Sequence, residues 1–178
     1  MPQNRRAARG KYPGRERARE RLHVHYQTAR ETARAGGKTL RGKDGPAVLM
    51  ADDDVEDCML ATEAFEASGA AGAFSCVKDG IELMEYLSER VRSVAEELPG
   101  LILLDLNMPR KDGREALVEI KAEPALKHIP IVILTTSREG RDMTFTREAG
   151  ANSFITKPDT FDEWVQIMKS LAQRWLAE

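Results

Sequence analysis

LILLDLNMPRKDG, residues 101–113, is the stretch on which the reading of the chain turns. Leu101, Ile102, Leu103 and Leu104 form an unbroken apolar run that ends on one carboxylate, Asp105. A run that is continuous rather than alternating suits a parallel strand covered on both faces. A lone carboxylate at the end of such a strand is costly unless it has partners. Asp112-Gly113 then reads as a turn and helix start.

Working outward, four further runs share this character: Ala47–Ala51, Ala73–Val77, Ile131–Leu134 and Ser153–Ile155. Helical stretches are predicted between and after them, near 55–68, 80–97, 112–122, 138–149 and 160–177. Five βα units define an α/β domain with an open parallel sheet and helices on both faces. In such sheets the working crevice lies at the carboxyl ends of the strands. The residues found there are Asp52 and Asp53, then Asp105, then Thr135 and Thr136, then Lys157.

Composition sets the bounds. The chain has 178 residues, 42% hydrophobic and 31% charged, which suits a soluble globular protein. No apolar run approaches the roughly 18 residues of a membrane span, and the N-terminus lacks the apolar core of a secretory signal. Residues 1–45 carry 13 basic and 4 acidic side chains, whereas the remainder carries 14 basic and 25 acidic ones. Two pieces follow: a basic extension over 1–46, flexible or partly helical, and a domain over 47–178. Cys58 and Cys76 form no C-x-x-C pair and are expected as buried free thiols in a reducing cytoplasm.

Three carboxylates in one crevice repel, by roughly 4 kcal/mol per pair at about 4 Å and an effective dielectric of about 20. A hard divalent cation with oxygen ligands relieves this, and Mg²⁺ is the usual cytoplasmic candidate. With the Lys157 ammonium and a hydroxyl beside it, the crevice is built to hold a phosphoryl group. Asp105 can then act as the nucleophile and form an acyl phosphate. Asp54 is better read as a helix N-cap than as a ligand.

These residues carry a resemblance. LMADDD (49–54), LLDLNMPRKDG (103–113), IVILTTS (131–137) and SFITKP (153–158) resemble a response-regulator receiver domain, in order and spacing. The resemblance implies a flavodoxin-like, doubly wound five-stranded sheet of order 2-1-3-4-5 with five helices. It implies that Asp105 takes a phosphoryl group from the phosphohistidine of a sensor histidine kinase. Asp53 would ligate Mg²⁺ directly, Asp52 directly or through water, and Asn107 through its backbone carbonyl. Thr135 and Lys157 would each pair with a phosphoryl oxygen. Phe154 would stand at the aromatic switch position, beside its plain reading as a packing residue. The Lys157–Pro158 peptide is expected cis. Whether such a self-modifying acceptor counts as an enzyme is partly a matter of naming.

The stretches ADDDVEDCMLATEAF and ANSFITKPDTFDEWVQIMKSLAQRWL are similar to the phytochrome-associated single-domain regulators, whose partner is a bacteriophytochrome or related kinase. With the last helical stretch running to the end at Glu178, no C-terminal output domain is expected. Phe161, Trp164, Val165, Ile167, Met168, Leu171, Trp175 and Leu176 cover more than one stripe of the last helix, an excess that suggests an interface. Homodimers formed through helix 4, strand 5 and helix 5 are expected from the resemblance.

Two other readings stand beside the switch. The domain could be a phosphate sink that only drains a kinase, or the basic arm could bind nucleic acid. The arm has only Tyr12 and Tyr26 as aromatics and no recognised DNA-binding motif, so nucleic acid is not expected. Gly37-Lys38-Thr39 resembles the end of a P-loop, but Thr32 stands where the first glycine is required. His23 and His25 are two apart and do not share a helix face, and His128 falls in a surface loop.

Overall fold

The computed structural model describes residues 47–93, 97–136 and 140–176. The basic arm with its P-loop-like end and its histidines, together with Ser137, lies outside them. Among the described residues, five strands alternate with five helices. In order they are β1 (Val48–Ala51), α1 (Val55–Ser68), β2 (Phe74–Val77), α2 (Gly80–Arg92), β3 (Leu101–Leu104), α3 (Gly113–Ala122), β4 (Ile131–Thr135), α4 (Gly140–Glu148), β5 (Ser153–Thr156) and α5 (Phe161–Trp175). The strands are all parallel and stand in the order β2-β1-β3-β4-β5, as the resemblance implies.

The continuous apolar runs are explained by the two cores. Alternate residues of each inner strand feed opposite faces of the sheet. Leu49, Ile102, Leu104, Ile131 and Ile133 pack with Leu83 and Leu87 of α2 and Leu117 and Ile120 of α3. Val48, Met50, Leu101, Leu103 and Val132 pack on the other face with Phe65 of α1 and Trp164, Met168 and Leu171 of α5. Helix starts are set by side-chain caps. Asp54, Asp79, Asp112 and Thr160 cap α1, α2, α3 and α5, the last two within capping boxes closed by Glu115 and Glu163. Each such cap is worth about 1 kcal/mol.

Several expectations are corrected. α2 stops at Arg92 instead of running to 97. Ser93 turns extended, and its N–H caps the carbonyls of Arg90 and Glu89. The excess of apolar residues on α5 is taken up in part by the core. Trp164, Met168 and Leu171 are buried, and Phe161, Val165, Ile167, Trp175 and Leu176 are half-buried against the same core, because α5 packs on α1 as well as on the sheet. The Lys157–Pro158 peptide is trans. Among the described residues no helix is long and apolar enough to cross a membrane.

The cysteines are not free thiols. Cys58, in the first turn of α1, and Cys76, on β2, are joined by a disulfide with Cα atoms 6.4 Å apart. The crossover explains the meeting: α1 folds back along the sheet and packs against β2, which brings together residues 18 apart. The cysteine content therefore no longer speaks for a reducing compartment. Closing a loop of this length stabilises by roughly 2–4 kcal/mol. Cys58→Ser, or reduction of the native chain, is expected to lower the thermal midpoint accordingly. Alkylation of the unreduced, denatured protein should label neither cysteine.

Candidate functional site

Two ladder bonds set the first pair of carboxylates side by side. The Asp52 amide donates to the Val77 carbonyl at 2.9 Å, and the Asp105 amide donates to the Ala51 carbonyl at 2.9 Å. Asp52 and Asp105 thus leave neighbouring strands, β1 and β3, at the same level. Both are buried, at 3% and 7% exposure, whereas Asp53 is exposed. Oxygens of Asp52, Asp53 and Asp105 all lie within 4.8 Å of one another. Asp54 stays out of this cluster. Its Oδ1 accepts the Glu56 amide at 2.8 Å, which fits the expected cap. The Asp54 amide in turn donates to Asp52 Oδ1 at 2.9 Å.

Lys157 follows the last residue of β5. Its amide donates to the Thr135 carbonyl at 3.0 Å, which ties the end of β4 to the lysine. The ammonium then enters the acidic crevice. Nζ lies 2.6 Å from Asp52 Oδ2, 2.9 Å from Asp57 Oδ2 and 2.9 Å from Asp105 Oδ2. The aim that a cis proline was expected to supply comes from these three charges. Burial pulls the ammonium down, but Asp52, Asp105 and Asp57 together outweigh it and hold Lys157 above the ordinary lysine range. Burial acts the other way on the acids. It pushes the Asp52 carboxyl up to about 7, against the pull of Lys157 and with the help of Asp105. Burial also raises Asp57.

Asp57 was missed in the sequence. The signal was present: it lies three residues after the Asp54 cap and one helical turn after Asp53, so it projects from the first turn of α1. Among the other expected residues, Thr135 is fully buried at the end of β4, and Thr136 is exposed. The Asn107 amide donates to Asp105 Oδ1 at 3.2 Å, and the residue is exposed. Phe154 is half-buried against the core on the α2 and α3 side.

The loop from 106 to 112 is clamped by groups outside the crevice. Arg110 holds a left-handed φ of 65°, a cost offset by its grip on Asp79. Arg110 Nε donates to Asp79 Oδ2 at 2.7 Å, and Nη2 donates to the same oxygen. Burial raises the Asp79 carboxyl, but the amides of Glu82 and Ile81 and the Arg110 guanidinium outweigh it and hold it below the usual range. Arg114 reaches from α3 to Asp142 of α4, with Nη2 and Nε at 2.7 and 3.1 Å, and to the Leu106 carbonyl at 3.5 Å. Gly113 lies against the Asp105 carbonyl so closely that any Cβ there would collide with it.

The donor set fits a hard divalent cation. Three carboxylates converge, and Asp52 Oδ2 is buried with an ion pair but no aligned hydrogen bond. An acidic cradle with a buried ammonium, at the carboxyl edge of a doubly wound sheet, is the framework of a phosphoryl-handling signalling domain. The family model for the response regulator receiver domain matches residues 48–169. Response regulator Rcp1 of Synechocystis sp. is 35% identical over 129 residues, which cover 72% of this chain and 88% of Rcp1. The Mn²⁺-bound structure of Rcp1 aligns with a TM-score of 0.65 at 34% identity, covering 73% of this chain and 94% of that one. The phosphorylated cyanobacterial phytochrome response regulator RcpA aligns with a TM-score of 0.67 at 37% identity, covering 74% and 94%. The bacteriophytochrome response regulator AtBRR gives 0.61 at 32% identity, covering 76% and 98%. This chain belongs to the response regulator receiver family, and the phytochrome response regulator RcpA and the bacteriophytochrome response regulator AtBRR are among its homologues. Receivers work with histidine kinases and bind a divalent metal through their aspartate cluster.

Two outcomes follow from this geometry. The Asp52 carboxyl is raised from 3.8 to about 7, so the folded state takes up a proton that the unfolded chain does not hold between those values. Metal-free protein should therefore gain stability as pH falls from about 7 toward about 4, and Asp52→Asn should flatten that slope in thermal melts. Gly113→Ala should displace the Asp105 carbonyl, lower the melting temperature and weaken Mn²⁺ binding measured by calorimetry.

Proposed function

We propose that this chain is a two-component phosphotransfer switch in which Asp105 accepts a phosphoryl group from the phosphohistidine of a sensor histidine kinase. One observation carries the reading: a buried ammonium contacts Asp105 at the point where Asp105 converges with Asp52 and Asp53 in a set of carboxylates that suits a cation. Asp52, Asp53, Asp105 and the Asn107 backbone carbonyl would hold Mg²⁺, which when bound supplies positive charge to the phosphoryl oxygens. An Asp105 oxygen attacks phosphorus, and the new O–P bond forms as the P–N bond of phosphohistidine breaks. The electron pair returns to the kinase imidazole, which takes a proton from solvent. Lys157 stabilises charge on one phosphoryl oxygen and the Thr135 hydroxyl bonds another. The domain assists its own phosphorylation and later hydrolysis.

The switch follows from differential contact. The phosphoryl group draws Thr135 and Lys157 inward, and Phe154, β5 and α4 settle into a second arrangement. The bias can be no larger than the preference of the phosphoryl group for that arrangement. A homodimer through α4, β5 and α5 fits this reading, because Met143 and Phe145 on α4 are 48% and 41% exposed. Phytochrome-type kinases are the favoured donors, on the strength of relatives that are phytochrome and bacteriophytochrome response regulators. A cytoplasmic location goes with a kinase donor and Mg²⁺, although the cysteine pair does not argue for it. Nucleic acid is not part of this reading: the receiver beyond residue 45 carries 14 basic against 25 acidic side chains, and the basic arm before it has no recognised DNA-binding motif.

Labelled phosphate should move from a phosphorylated phytochrome-type kinase to the wild type in the presence of Mg²⁺, and neither to Asp105→Asn nor to the wild type in EDTA. Sedimentation with a stable phosphoryl mimic should show a shift toward dimer. Rapid label loss with no change in association would instead favour the phosphate sink.

A further inference from the structure

Lys157 has three N–H donors and meets three carboxylates. Two of these, Asp52 and Asp105, belong to the cluster that suits a cation, and Asp57 does not. The contacts of Asp52 show where competition arises. Its Oδ1 already accepts the Asp54 amide, so Oδ2 is the oxygen more open to a cation, and Oδ2 is also the atom facing Lys157 at 2.6 Å. The lysine and the cation therefore draw on one carboxylate oxygen. Asp105 is similarly divided, with Oδ1 taking the Asn107 amide and Oδ2 facing the lysine.

Resting on the phosphoacceptor reading above, we infer that Asp57 is a positioning residue that anchors Lys157 beside Asp105 once Asp52 turns to the metal. Asp57 suits the task. It stands in the first turn of a helix whose start is fixed by Asp54, and its short side chain loses little freedom on pairing. Its Oδ2 stands at hydrogen-bond distance from Nζ, outside the cation cluster. With that anchor in place, the other two N–H groups face the acceptor and its phosphoryl oxygens. Without it, the ammonium settles wholly on Asp52 and Asp105, where it opposes the cation and lies poorly aimed. The competing explanation is plain: an acid in the first turn complements the α1 dipole and does nothing further.

The test uses the full chain, Mn²⁺ as the metal probe and labelled acetyl phosphate as the donor. Asp57→Asn should weaken Mn²⁺ binding by calorimetry several-fold and slow labelling about tenfold, the effect of losing one charge-assisted hydrogen bond. Asp57→Glu should recover part of both. In a Lys157→Ala background, Asp57→Asn should change Mn²⁺ affinity by less than about twofold, since coupled residues are not additive. An equal loss of Mn²⁺ affinity in both backgrounds would assign Asp57 to the helix alone and overturn the inference. Labelling of Asp57→Asn as fast as the wild type, or faster, would overturn it too, while leaving Asp105 as acceptor. Wild-type chain that takes no label would defeat the acceptor reading and this inference with it.

Discussion

The structure depends on one buried ammonium held among carboxylates. Lys157 is 7% exposed and Asp52 is fully covered, so neither charge is compensated by water. Charges in such a place persist only as a mutually satisfying set. The fold supplies the set by delivering one charged group at a time from a different strand end: Asp52 from β1, Asp105 from β3 and Lys157 from β5. The excess of acids over the single ammonium leaves the crevice negative, and that deficit makes it a receptor for a cation.

Much of this was legible in the sequence, for physical reasons. Continuous runs such as LILL can satisfy only a strand covered on both sides, and the two cores around β1, β3 and β4 provide that cover. A polar residue directly after such a run must sit at the sheet's carboxyl edge, so the sequence alone puts Asp52, Asp53, Asp105, Thr135 and Lys157 at strand ends. Asp54 was read as a cap because a short carboxylate before an apolar helical stretch has orphan amides to satisfy. These inferences need only local sequence.

What escaped depended on tertiary distance. Asp57 reaches Lys157 across 100 positions of chain. Its helix phase could be read, but not the direction from which the lysine arrives. The Cys58–Cys76 bond depends on how α1 lies over β2, which spacing alone does not give. Part of the apolar stripe of α5 serves α1 as well as the sheet, a second surface that the stripe alone does not name. The grip of Arg110 on Asp79 could not be read either, since it follows from a left-handed residue that is not glycine.

The reach of Arg114 has a consequence of its own. Its guanidinium meets the Leu106 carbonyl, next to Asp105, through Nη1 and Asp142 through Nη2 and Nε. The helix that bears Asp142 is thereby tied through one guanidinium to the loop that leaves β3, two peptides from the Asp105 amide. α4 thus takes part of its position from that loop and not from the sheet edge alone.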